Sequence, residues 1–301
     1  MDDLDFTVKE EKQAKEDDFD ADKDKIETKV KNGELWQLGR HYLKCGDATK
    51  EEDYKDLLGD KQADLIITDP PYNVDIESAD GNKIMNDKMK EDKFIDFLST
   101  CFKNMNKYLK PSRSFYIWCL NGLGFEEACK NAEFQIRQWL IWYKSTFILG
   151  WADYLKQYEV CLYGWKNGKE GHYFRYGTIQ TNVLKDDELD FDTMKKEDMK
   201  KLLKSIFENN DIQKDIFEYA KPARSLGHPT SKPVPMIGKL INNSSEANNI
   251  VLDVFGGSGS TLIACEELDR ICYMMELDPK YCDLIIARWE KLTGEKAKKI
   301  K

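Results

Sequence analysis

A buried strand, a glycine turn and the start of a helix are predicted by Val251-Leu252-Asp253-Val254-Phe255-Gly256-Gly257-Ser258-Gly259-Ser260-Thr261. Glycines lack a Cβ atom, so the turn lets a ligand approach the backbone closely, and the helix start directs N–H groups at that ligand. The next apolar segment ends at Glu276, whose carboxylate is suited to accept hydrogen bonds from ribose hydroxyls. The pattern therefore predicts a nucleoside site at the carboxyl end of a strand in an α/β sheet.

The turn departs from the dinucleotide fingerprint at its third position. Gly257 and Gly259 are followed by Leu262 where that fingerprint has a glycine. The departure favours an adenosyl ligand without a pyrophosphate. A nicotinamide-dependent dehydrogenase remains an alternative, as does a packed strand–helix turn with no ligand.

A second motif, Asp69-Pro70-Pro71-Tyr72, follows the apolar run Leu65–Thr68. The Asp69 carboxylate and the Pro70 carbonyl can both accept hydrogen bonds from an exocyclic amino group, and the Tyr72 ring can stack on the base that carries it. The motif predicts alkylation of an amino group on a flat heterocycle. The alternative interpretation is a proline turn at a strand end.

Apolar and amphipathic segments alternate from Leu35 onward, which is typical of an α/β sheet fold. Strands are predicted at Tyr42–Cys45, Asp64–Thr68, Ser114–Cys119, Gln138–Trp142, Tyr158–Tyr163, Ile250–Phe255 and Cys272–Glu276. Helices are predicted at Asp92–Tyr108, Phe125–Ala132, Pro235–Asn242, Thr261–Leu268 and Pro279–Leu292.

Composition is that of a soluble globular protein, with 41% apolar and 34% charged residues. The chain shows no signal-peptide pattern and no apolar run near membrane-spanning length, so we expect a cytoplasmic protein without a membrane partner. The eight cysteines form no Cys-x-x-Cys pair, and only three histidines are present, which favours reduced core cysteines and no metal site. Residues 1–32 predict an acidic disordered tail, which leaves residues 33–301 as one domain.

The net charge of −9 argues weakly against DNA as a partner, but residues 1–32 account for −5 of it. Residues 175–225 interrupt the strand–helix alternation and are expected to be an inserted recognition segment whose basic side chains meet phosphates. The candidate DNA-binding residues are Arg175, Lys185, Lys200, Lys201, Lys204, Lys221 and Arg224.

Together the two motifs resemble the S-adenosylmethionine-dependent DNA amino-methyltransferases. Asp69–Tyr72 matches their catalytic motif and Phe255–Gly259 their cofactor motif. The catalytic motif precedes the cofactor motif, as in the β group of this family, and residues 220–293 are most similar to stand-alone methyltransferases of phages and prophages. The resemblance implies a Rossmann-like, mostly parallel sheet with an antiparallel hairpin strand and a circularly permuted motif order.

The resemblance also assigns roles to individual residues. It implies that Asp69, Pro70, Pro71 and Tyr72 are catalytic. It implies an S-adenosylmethionine site at Asp47, Thr230, Lys232, Asp253, Phe255, Gly256, Gly257, Ser258, Gly259 and Glu276, where Thr230 and Lys232 belong to a segment that closes over the methionine end.

The implied reaction transfers a methyl group to the N6 amine of adenine in double-stranded DNA, after the base has flipped out of the duplex. Adenine is favoured because the tetrapeptide begins with aspartate, whereas the N4-cytosine members more often begin with serine. N4-cytosine methylation and a catalytically inactive DNA-binding module remain alternatives. A homodimer and a cognate restriction enzyme are partners that the resemblance leaves open.

Overall fold

The computed structural model describes residues 12–20, 26, 29–74, 88–119, 123–144, 157–168, 179–180, 212–213, 216–218 and 231–301. The strands within these ranges are β1 (Leu35–Leu38), β2 (His41–Cys45), β3 (Ala63–Thr68), β4 (Leu109–Cys119), β5 (Ile136–Tyr143), β6 (Tyr158–Trp165), β7 (Ile179–Gln180), β8 (Ile212–Gln213), β9 (Ile216–Glu218), β10 (Ile250–Asp253), β11 (Ile271–Glu276) and β12 (Lys298–Lys299). The helices are α1 (Glu51–Leu58), α2 (Glu91–Tyr108), α3 (Leu123–Asn131), α4 (Val234–Ser244), α5 (Ser260–Glu267) and α6 (Pro279–Thr293).

Ten of these strands form one sheet in the order β9-β5-β6-β4-β3-β10-β11-β2-β1-β12. The central strands β4, β3, β10, β11 and β2 are all parallel to their neighbours in this series, whereas β6 is antiparallel to both β4 and β5. The late strands β10 and β11 lie between the early strands β3 and β2, which confirms the permuted motif order. The α/β sheet predicted from the sequence is also confirmed.

Helices cover both faces of the sheet, so its central strands are buried on both sides. On β3, Leu65 and Ile67 pack with α4, α5 and α6, whereas Ile66 between them packs with α1, α2 and α3. This alternation follows the two-residue period of a strand. The carboxyl ends of the parallel strands remain uncovered by these helices and form one edge at which ligand-binding loops meet.

The boundaries of the predicted elements differ from the sequence analysis in several places. The strand predicted to start at Ser114 begins at Leu109, directly after α2. It includes Pro111, a residue that seldom lies inside a strand. Helix α1 and the short strands β1 and β12 were missed. In the segment 175–225, the structure describes β7, β8 and β9, and β9 extends the main sheet in parallel beside β5.

Within the expected disordered tail, residues 12–20 and 29–32 are described, and they pack on the domain. Phe19 is 1% exposed and lies against Leu284 of α6. The Asp17 carboxylate accepts two hydrogen bonds from the guanidinium of Arg288, at 2.5 and 2.8 Å. A charge-rich segment can thus be ordered when one of its side chains pairs with a buried residue of opposite charge.

The cysteines agree with the sequence prediction, since all eight are buried and free. No group of three or more His, Cys, Asp or Glu within the described ranges is placed to hold a metal ion. None of the helices described is both long and apolar enough to cross a membrane.

Candidate active site

A single cleft at the carboxyl edge of the sheet contains both sequence motifs. It encloses about 1130 Å³ of space that no protein atom occupies, its open mouth included. The predicted site residues that line it are Asp47, Asp69, Pro70, Pro71, Tyr72, Lys232, Asp253, Phe255, Gly256, Gly257, Ser258 and Glu276. Gly259 ends the glycine turn, directly before α5, and does not line the cleft. The convergence of two motifs separated by about 180 positions in the sequence is therefore a property of the fold.

Some predicted residues cannot be placed. Thr230 lies outside the described residues. So do the DNA-binding candidates Arg175, Lys185, Lys200, Lys201, Lys204, Lys221 and Arg224. Their roles stay predictions.

The glycine turn is held by the carboxylate of Glu276 at the end of β11. Gly257 has a φ of +51°, and its N–H donates to Glu276 Oε2 at 2.8 Å. The Asp278 N–H donates to Glu276 Oε1 at 2.9 Å. Burial raises the pKa of Glu276 to about 7, despite these two hydrogen bonds. The Leu277 backbone also donates to this carboxylate, which has about four lone-pair sites and so keeps room for a hydroxyl group of a ligand.

Asp253 joins the two motif-bearing strands. Its Oδ1 accepts a hydrogen bond from the Thr68 hydroxyl at 2.8 Å and another from the Phe255 N–H at 3.2 Å. Burial raises the pKa of this carboxyl group to about 7. Asp253 lines the cleft, and these bonds give it a structural role that the sequence analysis did not assign.

The tetrapeptide Asp69–Tyr72, predicted to be catalytic, contains a closely coupled pair. The Tyr72 hydroxyl donates to Asp69 Oδ1 at 2.5 Å, and the Tyr72 ring packs edge-on against Phe125, with 6.2 Å between ring centroids. Burial raises the pKa of Asp69, whereas the charge of Lys232 opposes that rise. Burial also raises the pKa of Tyr72 well above its ordinary value, so the phenol stays protonated and can donate.

Lys232 contacts the tetrapeptide Asp69–Tyr72. Its Nζ lies 2.5 Å from Asp69 Oδ2, 3.1 Å from Glu159 Oε2 and 3.2 Å from the Tyr72 hydroxyl. The other Glu159 oxygen pairs with Lys144. Sequence reasoning missed Glu159 and Lys144 because neither belongs to a motif. The only signal was a charged residue directly after the apolar strand β5 and another at the start of β6.

The cleft's charges indicate which ligand fits. Five of the described lining residues are acidic, namely Asp47, Asp69, Asp253, Glu276 and Asp278, and among the described lining residues only Lys232 is cationic. S-Adenosylmethionine carries a sulfonium and an ammonium against one carboxylate, so its net positive charge suits this lining. A nicotinamide dinucleotide carries a pyrophosphate, whose negative charges would face these acidic side chains. The residues present therefore fit an adenosyl sulfonium and disfavour the dehydrogenase alternative.

Other lining residues complete a site for an adenosine. Phe97, Phe255 and Tyr281 give it aromatic walls, and Asp47 contributes a second carboxylate. Asp47 Oδ1 accepts hydrogen bonds from the Thr49 N–H and hydroxyl, which fix the orientation of its carboxylate. Aromatic surface with a few convergent polar groups is typical of a cofactor pocket.

Comparison with known proteins agrees with this geometry. The DNA methylase model of the N6/N4 methyltransferases matches residues 63–287. The type II methyltransferase M.HinfI of Haemophilus influenzae is 27% identical over 78% of this chain and 65% of its own length. The DNA adenine methyltransferase YhdJ of Escherichia coli K12 is 25% identical over 76% of each chain. The chain thus spans about two thirds to three quarters of these curated relatives.

Solved structures share the fold. The M1.HpyAVI–SAM complex has a TM-score of 0.54 and 19% identity, with 82% of this chain and 97% of that chain covered. The cytosine-N4-specific PvuII DNA methyltransferase has a TM-score of 0.59 and 16% identity, with 88% and 94% covered. The match over residues 63–287 covers more than half of the chain and leads to one assignment: the chain belongs to the N6/N4 DNA methylase family, the S-adenosylmethionine-dependent DNA amino-methyltransferases.

Proposed function

We propose that this protein transfers a methyl group from S-adenosylmethionine to the exocyclic N6 amine of adenine within a specific sequence of double-stranded DNA. The proposal is carried by one observation: Asp69 and Tyr72 at the end of β3 line the same cleft as Gly257 and Glu276. An amino acceptor site and an adenosyl site thereby share one space.

The cofactor would be held by the glycine turn, by Glu276 and by Asp47, with Phe255 as an apolar wall. When bound, S-adenosylmethionine supplies a methyl group that its sulfonium has already activated. The protein therefore has to supply proximity and alignment, which account for a large part of the rate in such transfers. The apolar walls would exclude water from the reacting groups.

The target base would be held by the tetrapeptide. A flipped base would stack on Tyr72, and its amino group would donate to the Asp69 carboxylate and the Pro70 carbonyl. These acceptors would favour tetrahedral geometry at the nitrogen and direct its lone pair toward the methyl group. The negative charge of Asp69 would stabilise the positive charge that develops on the amine.

The choice of adenine rests on Asp69 as the first residue of the tetrapeptide and on the adenine activity in the name of the Escherichia coli relative. N4-cytosine methylation is the second candidate, because the PvuII enzyme that shares the fold is cytosine-N4-specific. Double-stranded DNA as the partner, residues 175–225 as its recognition segment, a homodimer and a cognate restriction enzyme belong to the same proposal.

Nucleoside analysis of methylated DNA tests the proposal. The purified protein is incubated with S-adenosylmethionine and DNA from a methylation-free host, and the digested DNA is examined by mass spectrometry. We expect N6-methyldeoxyadenosine. N4-methyldeoxycytidine would instead support N4-cytosine methylation. Unmodified DNA would contradict both adenine and cytosine methylation.

A further inference from the structure

Two charged side chains outside both motifs lie at the catalytic edge because of the antiparallel strand β6. β6 runs opposite to β4, and the pairing of Cys119 with Val160 places the start of β6 beside the end of β4. Glu159 is the second residue of β6, and Lys144 directly follows the end of β5. The topology thus delivers a carboxylate and an ammonium to the neighbourhood of Asp69.

The ammonium of Lys232 lies between two carboxylates. Its three N–H donors have three acceptors, on Asp69, Glu159 and Tyr72, at the distances given above. The side chain is 5% exposed and that of Glu159 is 6% exposed. A buried ammonium is stable only next to opposite charge, so Lys232 can move from Asp69 only as far as Glu159.

The Lys232 nitrogen also lies where a substrate amine would have to lie. It donates to Asp69 and is 5.5 Å from the centroid of the Tyr72 ring. An amino group of a base stacked on Tyr72 would need the same carboxylate at the same hydrogen-bond distance. The lysine and the base therefore compete for Asp69.

We propose that Lys232 and Glu159 are positioning residues for the methyl transfer: Lys232 holds the Asp69 carboxylate until the target amine arrives and then withdraws to Glu159. This inference rests on the proposed function and deepens it. Against the effect of burial, Lys232 and Lys144 lower the pKa of Glu159 to about 2, so this second carboxylate is always ionised. The two carboxylates and two ammonium groups balance in charge, which is the arrangement that a buried site requires.

The two residues have opposite expected effects on binding. Lys232→Met removes the competitor of the base, so the KM for DNA should fall, by about threefold or more. Glu159→Gln leaves the ammonium with Asp69 alone, so the KM should rise by a similar factor. A purely structural role for the buried ion pairs would instead weaken binding in both variants.

The pH profile gives a second signature. Within the described part of the chain, the titratable groups that interact with Asp69 are Lys232, Glu159, Tyr72, Cys161 and the neighbouring Asp253. Lys232 keeps Asp69 ionised, so its loss should raise the pKa of Asp69 and shift the acid limb of the kcat profile upward by about one pH unit or more. Lys110→Met is the matched control, since Lys110 pairs with Asp64 at the opposite end of β3.

The experiment measures kcat and KM for DNA from a methylation-free host, and DNA affinity by fluorescence anisotropy with S-adenosylhomocysteine present. Opposite shifts in KM and affinity for K232M and E159Q, with K110M unchanged, support the proposal. Parallel weakening with an unshifted pH profile overturns it while the wild-type activity still supports the proposed function. A wild type that neither binds nor methylates DNA overturns both. If K232M does not fold, E159Q alone tests the proposal. An unchanged KM for DNA in E159Q overturns it.

Discussion

The Thr68 hydroxyl donates a hydrogen bond to the Asp253 carboxylate across 2.8 Å, and both groups are buried. Thr68 is the last residue of β3, directly before the tetrapeptide Asp69–Tyr72, and Asp253 is the last residue of β10, before the glycine turn. This bond ties together the two strand ends whose loops form the cleft. The register agrees with it, since Val251 pairs with Leu65 and Leu252 with Ile66.

Thr68→Val tests this tie between the strands. The substitution is nearly isosteric but leaves a buried carboxylate with one donor fewer, so the free energy of unfolding should fall by about 2 kcal/mol. Urea denaturation measures the loss. Thr100→Val is the control, because the Thr100 hydroxyl bonds only the Asp96 carbonyl on an exposed part of α2. Equal losses in the two variants would contradict a special role for the Thr68–Asp253 bond.

The N-terminal segment should stabilise the cofactor turn through Arg288. The Arg288 Nη1 donates to the Ser258 carbonyl at 2.9 Å, while Asp17 neutralises the same buried guanidinium. Asp17→Ala would leave that charge uncompensated and should cost about 3 kcal/mol of unfolding free energy. Affinity for S-adenosylhomocysteine, measured by calorimetry, should fall as well.

Asp18→Ala provides the matched control for that experiment. The neighbouring Asp18 side chain is 77% exposed, and its contact with Lys291 is 3.8 Å long. We expect stability and affinity close to those of the wild type. If the Asp17 variant were as stable as the Asp18 variant, the packing of the N-terminal segment on α6 would be contradicted.

Gly257→Ala should separate ligand binding from backbone strain. Gly257 and Gly294 both have a positive φ, of +51° and +75°, so alanine at either position should cost about 1 kcal/mol of stability. Gly294 ends α6 in open space, whereas Gly257 lines the cleft and donates to Glu276. Only the Gly257 variant should lose affinity for S-adenosylhomocysteine in calorimetry. Equal affinity for S-adenosylhomocysteine in both variants would contradict a role of the glycine turn in cofactor binding.

Binding of the cofactor product should depend on pH through Glu276. Its pKa of about 7 in the free protein means that it is mostly protonated at pH 6 and mostly ionised at pH 8. Ribose hydroxyls bind the ionised form, so binding should release a proton, and affinity for S-adenosylhomocysteine should fall about tenfold from pH 8 to pH 6.

Calorimetry at several pH values measures that dependence, and Glu276→Gln is its control. The glutamine variant should bind weakly and with little change over this pH range. A pH dependence that persists in the variant would assign the titration to Asp253, whose pKa is also about 7.

The sequence predicts the parts of the site that local pattern determines. An apolar run followed by Asp69 or by Gly256 marks a strand end, and parallel strands bring such ends to one edge. The family resemblance supplied the permuted order that makes β3 and β10 neighbours.

Long-range charge pairing could not be predicted in the same way. Lys232 lies 163 positions from Asp69, and Asp17 lies 271 positions from Arg288, so no local pattern connects them. Glu159 lies at the site only because β6 runs antiparallel to β4 and β5. The alternation of apolar residues does not determine the direction of a strand. The acidic composition of residues 1–32 predicted disorder. Composition alone does not indicate that Asp17 pairs with the buried guanidinium of Arg288.

Asp69→Ala should abolish methyl transfer and leave the affinity for S-adenosylhomocysteine nearly unchanged. Under the proposed function, Asp69 is the acceptor that positions the target amine, whereas the glycine turn and Glu276 hold the adenosyl group. The exposed Asp60, changed to alanine, is the matched control and should keep wild-type activity.

The most direct measurement compares the wild type and Asp69→Ala in a methylation-free host, by sequencing genomic DNA on a platform that detects modified bases. The account predicts N6-methyladenine at one recurring sequence in cells with the wild type and none in cells with the variant. Methylation by the variant at the wild-type level, or unmodified DNA in cells that express the folded wild type, would contradict it.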